Sequence, residues 1–232
     1  MKSPMIPKLL HQTAKTADIP ERWRGYQQKL RALHPDWEYR LWTDADNLEF
    51  VKREYPDFYD VFVKLPKNIM RADVIRYLLL YRLGGLYMDL DYEMLRPFDL
   101  LEHEAVLPWE IDGERIGNAL MAAVPGHPFF KRVIDDLKAN PPLGEDVDVL
   151  TSTGPHFLSR ILREASGAAL NIHTPTRPLF NPPSPRSPRQ YRAILREGIA
   201  YGIHHCTGSW REYTVPQRVR NQAVALVRRL FT

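Results

Sequence analysis

The chain has 232 residues, 44% of them hydrophobic, and a formal net charge of +4. That is enough apolar material for one sizeable α/β domain, and too mild a positive charge to argue for nucleic acid as a partner. One cysteine, Cys206, excludes an internal disulfide. No apolar run reaches the ~18 residues of a spanning helix, and the opening MKSPMIPKLLHQ lacks the apolar stretch of a signal peptide, so a soluble, cytoplasmic protein is expected.

In chain order, Ile6 to Thr13 reads as a first strand entering a polar loop. In ERWRGYQQKLRALHP, Trp23, Tyr26, Leu30 and Leu33 fall on one helical stripe, which Pro35 ends. Trp37 to Trp42 alternates as a second strand. Thr43 or Asp44 then caps a helix. Lys67 to Leu83 is the longest helical signal, closed by Gly84-Gly85, and a buried strand follows at Leu86. Ala105 to Trp109 and Asn118 to Val124 predict two more strands. HPFFKRVIDDLKAN is a helix stopped by Pro141 and Pro142, and TGPHFLSRILREA is another, with Pro155 near its first turn. Residues 175–190 are crowded with proline and predict a surface loop, neither helix nor central strand. A late strand covers AYGIHHC. Residues 216–231 predict a C-terminal amphipathic helix with Val219, Ala223, Leu226, Val227 and Leu230 on one stripe. Alternating strands and helices favour a single α/β domain, 1–232, around a mainly parallel sheet.

The chemistry concentrates in GGLYMDLDYE. Ionised carboxylates are costly where a strand enters a core, yet Asp89 and Asp91 sit at the end of an apolar run. On an extended chain, residues two apart share a side, so this pair can hold one divalent cation through hard oxygens. A calcium EF-hand loop starting at Asp89 would need Gly and Glu where Met94 and Leu100 stand, and Tyr92-Glu93 does not offer the turn of a phosphatase acid pair. A solvated strand end remains the ordinary alternative, because Asp-x-Asp alone is a weak signal. The preceding helix adds context. Asp73 and Arg76, three apart, are neighbours on an apolar face that also carries Ile69 and Leu80. They make either an intrahelical ion pair or part of a polar site for hydroxyls and phosphate.

The stretch RADVIRYLLLYRLGGLYMDLDYEMLRPFD closely resembles the centre of the DXD sugar transferases of glycosyltransferase family 32. The resemblance extends, in order, to IPKLLHQT, RLWTDADN, IGNALMAAVPGHPFF, TGPHFL and HHCTGSW. It departs at Ala14, where the family often has Trp after His-Gln-Thr.

The resemblance implies a GT-A-type fold, a Rossmann-like sheet flanked by helices, with a nucleotide sugar at the carboxyl ends of the strands. It implies Mn²⁺ or Mg²⁺ as cofactor, with Asp91 as direct ligand and Asp89 contacting ribose and metal. Asp73 would hold sugar or ribose hydroxyls, and Arg76 would neutralise the leaving phosphate or bind the donor sugar, so that Asp89, Asp91 and Arg76 form the catalytic set. Leu10, His11, Gln12 and Thr13 would line base and ribose. Gly85, Tyr87 and Leu90 complete the donor side around the acids. Asn118 would hold donor sugar or acceptor, and Glu110, Thr153 and Gly154 would face the acceptor. In HHCTGSW, adjacent residues face opposite ways, so at most one histidine reaches the metal. The spacing His-x-x-Gly selects His205, with Ser209 and Trp210 folding over the donor. Several of these have ordinary readings as well: a loop histidine at His11, a strand-edge amide at Asn118, a helix cap at Thr153-Gly154, a solvated loop acid at Glu110.

The expected function is metal-dependent, retaining transfer of a hexose from a UDP- or GDP-hexose to a glycan or lipid-linked glycan acceptor. The alternatives are a protein-modifying, toxin-like glycosyltransferase and a non-catalytic nucleotide-sugar-binding protein. Arg218, Arg220, Arg228 and Arg229 around the C-terminal stripe suggest either packing on the domain or peripheral contact with the inner face of an anionic membrane.

Overall fold

The computed structural model describes residues 5–144, 146–165 and 170–208. The elements run β1 Leu9–Thr13, α1 Glu21–Leu33, β2 Glu38–Trp42, α2 Asp44–Glu54, α3 Tyr59–Lys64, α4 Asn68–Leu83, β3 Gly85–Met88, β4 Tyr92–Met94, β5 Ala105–Val106, β6 Trp109–Ile111, β7 Arg115–Ile116, β8 Leu120–Ala123, α5 Pro128–Ala139, α6 Val149–Ser152, α7 Pro155–Glu164, β9 Ile172–His173, α8 Arg177–Phe180, α9 Pro188–Glu197 and β10 Gly202–His204.

Six strands form the central sheet in the order β2-β1-β3-β8-β5-β9. β1 pairs in parallel with β2 and β3, and β5 with β9, while β8 runs antiparallel between β3 and β5. The strands are apolar on both faces, as a sheet covered by helices on each side requires. Alternate residues go to different cores. Tyr87, Ala105, Met121 and Ala123 join the core built by α2 to α5 and α7. Leu86, Met88, Val106, Leu120 and Ala122 join the core that includes Leu10 and Leu30 of α1.

Helix α4 is central to the first core. It buries nine of its sixteen residues, including Met70, Val74, Tyr77 and Leu80. Such a helix has apolar residues nearly all round because it has few solvent-facing positions. Its end is set by two glycines. Gly84 closes the helix at φ 66°, its N–H bonded to the Leu80 carbonyl at 3.0 Å. Gly85 stands at φ +94°, where an added Cβ would lie 2.4 Å from the Leu9 carbonyl oxygen. Only glycine lets β3 start so close to β1, and β3 then delivers Asp89 to the carboxyl edge of the sheet.

The structure redraws several expected boundaries. The first strand begins at Leu9, not Ile6. The strand expected at Ala105 to Trp109 breaks at Pro108: β5 ends at Val106, and Trp109 opens the β6–β7 hairpin. Helix α3 was not expected. The proline-rich stretch 175–190 contains α8 and the start of α9, because Pro178 and Pro188 fall in first turns, where the missing N–H has no helical partner to lose. Ser187 caps α9 by accepting from the Gln190 N–H. The late strand β10 is antiparallel to β4, with Ile203 opposite Glu93. The expected C-terminal helix 216–231, and Ser209 and Trp210, lie outside the described residues.

Candidate active site

The parallel strands β1 and β3 end side by side at Thr13 and Met88, and Asn118 precedes the antiparallel β8 on the same side. A cleft of about 720 Å³ opens there, within the ordinary range for a ligand site. It is lined by Thr13, Ala14, Lys15, Asp18, Trp23 and Asn47 from the N-terminal part of the chain and by Ile69, Glu110, Asn118, Leu150, Gly154 and Pro155 from later segments. Asp73, Arg76, Asp89, Leu90, Asp91 and His204 line it as well.

Arg76 organises this centre. Its Nη2 lies 3.1 Å from Asp73 Oδ1 and its Nη1 3.1 Å from Asp89 Oδ1. Nη1 also donates to the Asn118 carbonyl at 2.7 Å, and Nε to the Ala72 carbonyl at 3.0 Å. The guanidinium stacks over the Tyr87 ring, 4.7 Å from its centroid. The planar fork thus joins α4, the turn after β3 and the loop before β8, a task an ammonium cannot perform. Asp73 also accepts from Asn118 Nδ2 and from Thr153 Oγ1, both at 2.9 Å. Burial pushes its carboxyl up to about 6, against the pull of Arg76 and these two donors. Burial raises Asp89 as well, opposed by Arg76, and the Tyr87 hydroxyl donates to Asp89 at 2.8 Å.

Asp91 is held from the other side. Thr207 donates both its N–H and its hydroxyl to Asp91 Oδ2 at 2.8 Å, and His204 Nε2 lies 3.3 Å from Oδ1. Burial opposes the Asp91 charge, but the contacts with His204 and Thr207 outweigh it and hold the carboxyl below the usual range. Burial likewise opposes a proton on His204; Asp91 and the Cys206 sulfur, 3.3 Å from Nδ1, reverse this and hold the imidazole well above its ordinary value. Ligand atoms of Asp89, Asp91 and His204 lie within 4.8 Å of one another. Two carboxylates and one imidazole suit a divalent cation. The cation would take the place of the His204 proton, since imidazole ligates through a lone pair. The donor set therefore fits the metal that the motif implies.

The residues expected from sequence divide into three groups. Thr13, Asp73, Arg76, Asp89, Leu90, Asp91, Glu110, Asn118 and Gly154 line the cleft, with Glu110 paired to Arg115 at 2.9 Å. Leu10, His11, Gln12, Gly85, Tyr87 and Thr153 are buried behind it. His11 bonds to the Gly84 carbonyl and to Trp42, Gln12 donates to the Asp89 carbonyl at 3.4 Å, and Thr153 supports Asp73 rather than facing an acceptor. His205 is turned away: its Nε2 lies 3.1 Å from Glu93, and His204 stands in the place expected for it. One histidine of the two does reach the acids, but strand register, not the His-x-x-Gly spacing, decides which. Thr207, Trp23 and Asn47 were not singled out. Trp23 Nε1 and Asn47 Oδ1 are buried with no hydrogen-bond partner among the described residues, a feature of tertiary burial with no sequence signal.

A sheet of this topology, with an Asp-x-Asp turn at the carboxyl edge of its strands, defines a GT-A-type fold with a DXD site. Residues 20–107 match the family described as glycosyltransferase sugar-binding region containing DXD motif. The chain is 42% identical to inositol phosphoceramide mannosyltransferase 2 of Schizosaccharomyces pombe over 67% of its own length and 46% of that protein. It is 43% identical to a mannosyl phosphorylinositol ceramide synthase of Saccharomyces cerevisiae over 70% of its own length and 43% of that protein. Among solved structures, the PaToxG glycosyltransferase superposes with a TM-score of 0.55 at 16% identity, over 97% of this chain and 88% of that one, a likeness of fold. The chain belongs to the DXD-motif glycosyltransferases of family 32. It spans less than half the length of these curated relatives.

Proposed function

We propose that this chain transfers a hexose, mannose first among the candidates, from a UDP- or GDP-sugar to a lipid-linked or glycan acceptor, with retention at the anomeric carbon and with Mn²⁺ or Mg²⁺ bound. The observation that carries the reading is the Asp89, Asp91 and His204 cluster on the floor of a cleft at the carboxyl edge of the sheet. Mannose is favoured by the names of the relatives, which are mannosyltransferases of inositol phosphoceramide. The bond from the anomeric carbon to the diphosphate oxygen breaks, the electron pair leaving with the diphosphate, and a bond from that carbon to an acceptor hydroxyl oxygen forms, the hydroxyl proton passing to the departing diphosphate. A bound divalent cation supplies Lewis acidity for the charge that develops on the diphosphate. Asp89, Asp91 and His204 are the residues that would hold that cation. Arg76, itself in the cleft lining, keeps Asp89 and Asp73 in place, while Thr207 fixes the Asp91 carboxylate through two hydrogen bonds. Asn118, which lines the cleft and donates to Asp73 at 2.9 Å, would meet a sugar hydroxyl. Ile69, Leu150 and Pro155 add apolar surface to the same cleft.

The test is a panel of UDP- and GDP-hexoses with Mn²⁺ or Mg²⁺, scoring donor hydrolysis and transfer to inositol phosphoceramide and to mannosyl acceptors. Turnover of one donor that stops with EDTA supports the reading. Binding of nucleotide sugars with no turnover on any acceptor leaves the non-catalytic alternative.

A further inference from the structure

Glu93 stands two residues after Asp91, yet it is no part of the cation cluster. Its side chain is 7% exposed and accepts from three separate elements. Lys29 Nζ of α1 reaches Oε1 at 2.9 Å, the Tyr191 hydroxyl of α9 reaches the same oxygen at 2.7 Å, and His205 Nε2 reaches Oε2 at 3.1 Å. His205 is also stacked on Tyr26 of α1, with ring centroids 4.8 Å apart and planes 1° from parallel. A buried carboxylate this well partnered is a fixed point.

The register of β4 with β10 converts that fixed point into an orientation. Ile203 lies opposite Glu93 and His204 opposite Tyr92, and the His205 N–H continues the ladder by bonding to the Asp91 carbonyl at 3.0 Å. Alternate residues share a face, so His205 returns to the face of Glu93 and His204 takes the face of Tyr92; Asp91, in the turn before β4 and outside that alternation, brings its carboxylate round to His204 Nε2 at 3.3 Å. Among the described residues, the second nitrogen of the His204 ring meets the Cys206 sulfur, a weak partner, and the ring stacks on Tyr92 with centroids 6.1 Å apart. Its placement therefore depends on where the backbone at 204–205 is held.

We infer that Glu93 is a positioning residue for the cation site: by clamping His205 to one face of the chain, it turns His204 to the other, where the Asp91 carboxylate reaches it from the turn before β4. The inference rests on the cation reading above. Lys29, Tyr26 and Tyr191 belong to the same clamp, so α1 and α9 take part in shaping the cation cluster without supplying any of its three candidate ligands.

The experiment is Mn²⁺ binding to the metal-free protein, with free Mn²⁺ counted by electron paramagnetic resonance and Tm measured alongside. Changing an outer partner of a metal ligand weakens binding by about 10-fold or more, so Glu93→Gln should raise the Mn²⁺ Kd by at least about that factor. The effect should vanish in a His204→Ala background, where there is no imidazole left to orient. A general structural role would lower Tm in both backgrounds and leave the Mn²⁺ Kd unmoved. His205→Asn, which keeps Lys29 and Tyr191 on Glu93, is read in the same way and serves if Glu93→Gln does not fold. A lowered Tm with an unchanged Mn²⁺ Kd, or an equal loss with and without His204, overturns the inference. Failure of the wild type to bind Mn²⁺ overturns the cation reading, and the inference falls with it.

Discussion

At the scale of single residues, Asp91 and His11 make the sharpest predictions. Asp91→Asn keeps the size of the side chain and removes the charge that ligates a hard cation. Transfer should fall by more than the ~10–100-fold typical of outer-partner changes, with circular dichroism and Tm close to the wild type. Unimpaired turnover at saturating Mn²⁺ would refute a ligand role. His11 is buried between two groups that fix its tautomer. The Trp42 indole donates to Nδ1 at 3.0 Å, so Nε2 carries the proton and donates to the Gly84 carbonyl at 2.9 Å. A second proton would face the indole N–H. Burial accordingly lowers this imidazole to about 4. Between that value and its unfolded value of about 6.5, the unfolded chain binds the proton and the native chain does not. The stability is complete above the unfolded value and is lost as pH falls towards the folded one, by on the order of 3 kcal/mol. Asp73, raised to about 6, works in the opposite sense, since acid relieves its buried charge. Urea unfolding at pH 7 and 4.5 should therefore show a smaller acid loss in His11→Gln than in the wild type. Equal losses would mean that His11 titrates normally. Arg76→Lys keeps a charge but cannot bridge Asp73, Asp89 and the Asn118 carbonyl together. Breaking a buried ion pair costs about 3–5 kcal/mol, and the conservative change should lose a large part of that in denaturant midpoint; a near-neutral result would reduce Arg76 to a bystander.

At the scale of elements, two glycines give opposite expectations. Gly202 opens β10, and a Cβ there would lie 2.3 Å from Tyr92 Cε1 and 2.7 Å from the Glu93 carbonyl oxygen. Gly202→Ala should push β10 off β4, costing about 1–3 kcal/mol as overpacking does, and should weaken Mn²⁺ binding because His204 leaves with the strand. Gly25 sits in the exposed interior of α1 with nothing within 4 Å of an added Cβ. Gly25→Ala should stabilise the protein by about 0.4–1 kcal/mol through the unfolded chain and helix propensity. Thermal melts of the two variants against the wild type check both signs. Most of these elements were legible in the sequence. The α4 pattern, the paired glycines after it and the Thr43 cap of α2 are local signals, and Thr43 does form a capping box with Asp46. The helix α9 was not legible, because a proline-crowded approach hid a start that Pro188 and Ser187 in fact favour.

At the scale of the whole molecule, the cleft joins pieces of chain that no single element holds. Thr13 comes from β1, Asp73 and Arg76 from α4, Asp89 and Asp91 from the turn after β3, Asn118 from the approach to β8, and His204 from β10. A cation and a nucleoside diphosphate that bind only this assembled site must stabilise the fold as a whole. At 100 times its Kd a ligand adds about 2.7 kcal/mol. Tm should rise with Mn²⁺ and GDP or UDP together, and EDTA should remove most of the rise. An equal rise with nucleotide in EDTA would separate the nucleotide from the cation.

The amino-acid sequence determined the order of strands and helices, the two-faced apolar sheet and the arrival of two carboxylates at its edge. All of these rest on spacing within a few residues, where period and glycine or proline chemistry act directly. The tertiary structure decided which groups meet those carboxylates. It chose His204 over His205, gave Thr207 to an Asp91 lying 116 residues away, and placed Thr153 behind Asp73 instead of in the cleft. Such contacts depend on the register between β4 and β10 and on how α4 and α6 pack. A one-residue change of register turns every side chain to the other face, and no local pattern in the chain records which register the pairing takes.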